Sequence, residues 1–133
     1  IIPSVRGPIR SRPVDEIRAE AERLAQAGFT ELVLTGIHLT SYGRDFTPRQ
    51  TLLDAIRAVQ DVPGVRRIRL GSLEPTVATV EFAQALRTMD KVCPQFHLAL
   101  QSGSDTVTTC ACTVRRWRTC APFTRWRRSQ RMY

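Results

Sequence analysis

Apolar residues recur at helical spacing in three stretches, and each stretch is followed by a short apolar run. In residues 13–27, Val14, Ile17, Ala21 and Leu24 fall at steps of three, four and three, which keeps one side of a helix apolar. Asp15 and Glu16 stand in the first turn, where the helix dipole favours acids. Gly28 follows the last periodic residue, the place for a capping glycine. Residues 29–34, FTELVL, then predict a strand that stops at Thr35-Gly36. The pattern repeats. Thr51 caps a helix running to about residue 60, with Leu52, Leu53, Ile56 and Val59 inward and Asp54 at the capping-box position. Residues 61–64, DVPG, break it, and residues 65–70, VRRIRL, predict a second strand ending at Gly71-Ser72. A third helix is predicted over residues 80–89, with Phe82, Leu86 and Met89 on one face. A last strand is predicted over residues 95–100, QFHLAL, ending at Gln101-Ser102-Gly103.

The strand centres fall roughly 30–35 residues apart, each pair separated by one amphipathic helix, which is the period of a βαβ unit. Right-handed crossovers make the sheet parallel. Such alternation allows a barrel or an open doubly wound sheet, and spacing alone does not choose. Ile1-Ile2 reads as the stub of an earlier strand.

In both architectures ligands gather at the C-terminal ends of the strands. The segments there are Thr35-Gly36-Ile37-His38, Gly71-Ser72-Leu73-Glu74-Pro75 and Gln101-Ser102-Gly103-Ser104. Glycine lets backbone approach a ligand closely, although loops are rich in Gly and Ser in any case. No GxGxxG motif and no Gly-rich loop ending in Lys-Ser/Thr occurs, which argues against those routes to nucleotide binding. His38 and His97 are the two histidines. A lone histidine is more often a hydrogen-bonded packing residue than a catalyst. His97 alternates with Phe96 and Leu98 and so faces away from them.

Charge changes the picture. The chain has 133 residues and a formal net charge of +8. Residues 1–107 carry 13 basic and 12 acidic residues, whereas residues 108–133 carry seven Arg and no acid. The same tail holds both Trp and three of the four Cys, spaced C-x-C-x7-C. That spacing matches neither a C-x2-C zinc pair nor a common iron–sulfur run. Neither a membrane-length apolar run nor a signal-peptide pattern is present, so a cytoplasmic protein is expected.

Four ordered motifs carry a resemblance. Residues 1–13, IIPSVRGPIRSRP, are similar to the segment just after the cluster-binding loop of radical SAM tRNA methylthiotransferases. Residues 34–45, LTGIHLTSYGRD, residues 67–75, RIRLGSLEP, and residues 96–107, FHLALQSGSDTV, resemble the family's next three motifs, in order. The LTGIHLTSYGRD form and the VCPQFH stretch most resemble the branch acting on threonylcarbamoyladenosine in tRNA. The resemblance implies a partial (βα)6 TIM-type barrel, S-adenosylmethionine and two [4Fe-4S] clusters. One cluster cleaves S-adenosylmethionine to a 5′-deoxyadenosyl radical, and the other helps deliver sulfur. A second S-adenosylmethionine supplies the methyl group. The product is a 2-methylthio group on the adenosine at position 37, so the implied partners are the tRNA anticodon loop, an electron donor and a sulfur source.

The resemblance also implies roles for single residues. Thr35 and Gly36 offer backbone carbonyls to the methionine ammonium group. Ser72 and Glu74 face the polar end of the cofactor, and Gln101 and Ser102 meet its ribose. Arg6 carries charge near the cluster or the substrate.

The family's C-x3-C-x2-C motif would immediately precede Ile1 and is not in the sequence. Residues 1–107 are therefore expected to be a central piece of a radical SAM core, inactive as written and, with open sheet edges, poorly folded alone. Residues 108–133 have no clean period and read as a frameshifted tail from GC-rich coding DNA. The rival reading is an arginine-rich RNA-binding arm with Trp117 and Trp126 stacking on bases, which makes the chain a non-enzymatic basic RNA-binding protein. An unrelated (βα) barrel enzyme is the third reading.

Overall fold

A computed structural model of the chain describes residues 4–5, 7–77 and 79–99. The expectations on Ile1-Ile2, on Arg6, on Gln101 and Ser102, and on the 108–133 tail lie outside the described residues. Helix α1 spans Val14–Gln26, strand β1 Glu31–Leu34, helix α2 Leu52–Gln60, strand β2 Arg67–Leu70 and helix α3 Val80–Arg87. Single 3-10 turns stand at Leu39–Ser41 and Pro75–Val77.

The chain chemistry accounts for the ends of these elements. At the end of α1 the Gly28 N–H donates to the Ala25 carbonyl and the Phe29 N–H to the Leu24 carbonyl, both at 3.0 Å. That is a Schellman arrangement, and Gly28 at φ +93° supplies the left-handed residue it requires. The turn uses up Phe29, so β1 begins two residues later than the apolar run predicted, and Phe29 is exposed. Helix α2 opens on a complete capping box. The Thr51 side chain accepts from the Asp54 N–H at 3.4 Å, and the Thr51 N–H donates to the Asp54 carboxylate at 2.9 Å. The Thr51 contacts hold the Asp54 carboxyl below its ordinary value, against the effect of its partial burial. Thr51→Ala is expected to lower stability by about 1 kcal/mol, read as a shift in urea midpoint at unchanged slope. At α3 the Thr79 hydroxyl accepts from the Phe82 N–H at 3.2 Å.

β1 and β2 pair in parallel, with Leu32 opposite Ile68 and Leu34 opposite Leu70. Leu32, Ile68 and Leu70 point into a core shared with Ala21, Ile56, Val59 and Leu86 of the three helices, closed by Val62, Val65, Met89 and Val92 from the connections. The other face of the strands carries Glu31, Val33, Arg67 and Arg69. There Glu31 pairs with Arg67 at 3.5 Å and with Arg69 at 3.6 Å.

The third strand differs from the expectation. Among the described residues, the pairings beside β2 are those of Ile68 with Val92 and of Leu73 with Leu98, both parallel. The segment reaches β2 earlier than residue 95: the Ile68 N–H donates to the Lys91 carbonyl and the Cys93 N–H to the Ile68 carbonyl, both at 2.8 Å. The Gln95 N–H, the next donor of a parallel ladder, turns back to the Cys93 carbonyl across Pro94 at 2.8 Å, and the ladder is interrupted there. Pairing resumes at residues 97–99, where the Leu73 N–H donates to the His97 carbonyl and the Ala99 N–H to the Leu73 carbonyl. No described helix is long and apolar enough to cross a membrane.

Candidate functional site

The C-terminal ends of β1 and β2 lie side by side, because the Gly71 N–H donates to the Leu34 carbonyl at 2.9 Å. Two loops therefore leave the sheet from one edge. Thr35 and Gly36 are exposed on the first, while Leu39 and Ser41 turn inward and anchor it. A Cβ on Gly36 would stand 3.2 Å from Leu39 Cδ2, so the anchored leucine leaves little room for a side chain there.

His38 and Glu74 pair across the two loops through Nε2 and Oε1. The Thr40 hydroxyl donates to the second carboxylate oxygen of Glu74 at 3.2 Å. Around the other ring nitrogen of His38, Ser41 Oγ lies at 2.7 Å and Thr40 Oγ1 at 2.9 Å. One loop further along, Ser72 Oγ lies 2.9 Å from His97 Nδ1. The structure thus brings Thr35, Gly36, Ser72 and Glu74 to one edge, with both histidines among them. The sequence alone favoured packing roles for the histidines. They are exposed instead, His97 on the face opposite to Phe96 and Leu98, which pack against the core. The available signal for His38 and Glu74 was position: each follows a predicted strand by four residues.

A second feature had no local signal. The segment before α1 is tied down by the loop after β1. The Tyr42 hydroxyl donates to the Arg12 carbonyl at 2.7 Å, the Gly43 N–H to Ser11 Oγ at 2.8 Å, and the Ser11 N–H to Asp45 Oδ2 at 2.7 Å. The side-chain and backbone donors of Ser11 hold the Asp45 carboxyl below its ordinary 3.8, and burial with the nearby Asp45 and Asp54 charges raises the Tyr42 phenol. A depressed carboxylate stabilises the folded form fully above its ordinary value and loses that contribution as pH falls through the lowered one. Protection of the Ser11 amide from hydrogen exchange is therefore expected to be constant at neutral pH and to be lost below about pH 4, with Asp45→Asn removing the dependence.

The described residues contain no group of three or more His, Cys, Asp or Glu able to hold a metal ion. Cys93 is buried, with Arg67 Nε donating to its Sγ at 3.4 Å. An iron–sulfur cluster needs several thiolates at fixed geometry, and the described residues do not fit one.

Over 107 residues, 80% of this chain, the sequence is 36% identical to the tRNA-2-methylthio-N(6)-dimethylallyladenosine synthase of Clostridium tetani. It is 38% identical to the enzyme of the same name from Clostridium beijerinckii and 36% identical to that from Clostridium botulinum, over the same length. Each match covers 24% of the relative, so the chain spans about a quarter of the length of the curated relatives it matches. No family model matches. The relatives bear out a likeness to tRNA methylthiotransferases. They do not bear out the threonylcarbamoyladenosine branch, since their names specify dimethylallyladenosine.

Proposed function

We propose that this chain is a central part of a radical SAM tRNA methylthiotransferase, acting in the whole protein on N6-dimethylallyladenosine of tRNA. The observation that carries the reading is identity of 36–38% over 80% of the chain to enzymes of that name. The strand-edge geometry supports it. A parallel sheet is normally covered on both faces. Here the helices cover one face, and the other carries Glu31, Arg67 and Arg69, which suit a barrel interior better than a second apolar helix layer.

The edge also fits S-adenosylmethionine in its donor chemistry. Thr35 and Gly36 are exposed and carry backbone carbonyls, the natural acceptors for an ammonium group. Ser72 and Glu74 stand beside them with hydroxyl and carboxylate oxygens. When bound, the cofactor supplies a methyl group and a sulfonium that accepts one electron. The chain's own part is to hold it: Gly36 leaves the approach open, Leu39 backs the loop, and the hydrogen bond from Gly71 keeps the two strand ends adjacent. In this reading Gln101 and Ser102, outside the described residues, meet the ribose. The tRNA anticodon loop, an electron donor and a sulfur source are partners of the whole enzyme.

Calorimetric titration of the chain with S-adenosylmethionine tests the site. Binding is expected, with Gly36→Val weakening it at least roughly tenfold because the side chain strikes Leu39 and crowds the carbonyl edge; equal affinity for both chains removes Gly36 from the site. The substrate is tested by offering anticodon stem–loops to the whole protein of which this chain is the central part. Preference for the dimethylallyladenosine form is expected, and the reverse order restores the threonylcarbamoyladenosine branch.

A further inference from the structure

The pair formed by His38 and Glu74 has no part in the core. Both side chains are about two-fifths exposed, at 43% and 40%. A polar contact so exposed adds little to global stability. Its consequence is local, because it joins two loops that are 36 positions apart and that start from neighbouring strands. One tautomer satisfies the set, assigned from the network. His38 Nε2–H donates to Glu74 Oε1, the Ser41 hydroxyl donates to Nδ1, and the Thr40 hydroxyl donates to Glu74 Oε2. The carboxylate is thereby held from two positions of the first loop. Between the clamp and β1 lie only Thr35, Gly36 and Ile37, and Ile37 is 80% exposed, so packing does not hold that stretch in place.

We propose that His38 and Glu74, tied together by Thr40, are positioning residues that clamp the loop after β1 to the loop after β2. The clamp fixes the Thr35-Gly36 carbonyl edge where the ammonium group of an amino-acid-bearing nucleoside is received. The inference rests on the cofactor-site reading above for its ligand, and on the contacts between the loops for its mechanism. Leu39 and Ser41 anchor the far side of the loop from below. The clamp supplies the lateral restraint that these buried residues do not.

Two readouts on the 133-residue chain separate these grounds. The first is amide hydrogen exchange, followed by NMR, in the unaltered chain and in His38→Ala, Glu74→Gln and His38→Gln. Amides of residues 37–42 are expected to exchange roughly tenfold faster in His38→Ala, the scale of one lost charge-assisted hydrogen bond. Amides of Ile56 and Ile68 are expected to be unchanged, which shows that the variant folds. His38→Gln keeps an N–H donor toward Glu74 and is expected to restore much of the protection. Glu74→Gln keeps an acceptor for Thr40 and is expected to fall between the two. The second readout is titration with S-adenosylmethionine, expected to weaken several-fold in His38→Ala and to recover in His38→Gln. Unchanged exchange at residues 37–42 overturns the clamp. Faster exchange with unchanged affinity overturns its positioning role. A flat titration of the unaltered chain overturns the cofactor-site reading and the ligand assigned to the clamp, while exchange still reports whether the two loops are joined.

Discussion

Ile68→Ala is expected to cost about 2–5 kcal/mol and to leave the chain largely unfolded at room temperature. Ile68 is fully buried in β2, opposite Leu32 of β1. Its backbone also donates to Lys91 and accepts from Cys93, so it is the residue at which three successive chain segments meet. Truncation removes three carbons from a site lined by side chains of both strands and of the helices, which cannot all close on the gap. A domain of this size buries a modest fraction of its surface, so one such cavity is a large share of the total stability. Urea denaturation followed by circular dichroism checks this, with Arg69→Ala on the opposite face as the control, expected to change stability by less than about 1 kcal/mol. A loss in Ile68→Ala no greater than that of the control shows that the layer is not packed around this side chain.

Gly43→Ala is the second large effect, and its cause is backbone geometry rather than packing. Gly43 has φ +76°, a left-handed conformation that disfavours any side chain. A Cβ there would lie 2.0 Å from the Gln50 carbonyl oxygen, which is backbone and has no rotamer to escape into. The strained conformation alone costs about 1–3 kcal/mol, and relieving the overlap moves the loop that carries Tyr42 and Asp45. The contacts of that loop with Ser11 and Arg12 are then lost together. Faster exchange at the Ser11 amide and a lowered urea midpoint are expected in Gly43→Ala. Gly7→Ala serves as comparison: Gly7 also has positive φ, but its Cβ meets nothing within 4 Å. A Gly43→Ala chain as stable as the comparison, with the Ser11 amide still protected, contradicts the close approach of Gln50.

Much of the local structure is legible in the residues because its causes are local. The steps between Val14, Ile17, Ala21 and Leu24 place one apolar face, and Gly28 ends the helix because only glycine takes the left-handed turn without strain. Thr51 and Asp54 satisfy each other's backbone across three residues, so their spacing is sufficient evidence of the cap. The parallel pairing of β1 with β2 follows from a crossover helix between two apolar runs. The limit appears at the third strand. Its apolar run is real, but a strand exists through its partner's ladder, and here the first pairing with β2 forms at Val92, before the run begins, while the Gln95 N–H turns back to Cys93.

The candidate site divides the same way. Position at the ends of predicted strands selected Thr35, Gly36, Ser72 and Glu74, since parallel strands with crossover helices open their ligand edge at the C-terminal ends. Motif order pointed to the tRNA methylthiotransferases that the relatives resemble. By itself the sequence therefore determined the periodic elements, the caps at Gly28 and Thr51 and the direction of the sheet, all consequences of residue spacing and of the order of helices and strands. Only the tertiary structure decided that His38 meets Glu74, that Ser72 meets His97, and that Ser11 is held by Gly43 and Asp45. Those contacts join residues 25 to 36 positions apart through polar groups that carry no periodicity. Their geometry is set by how the apolar core stacks the elements, and it exists only after that core has formed.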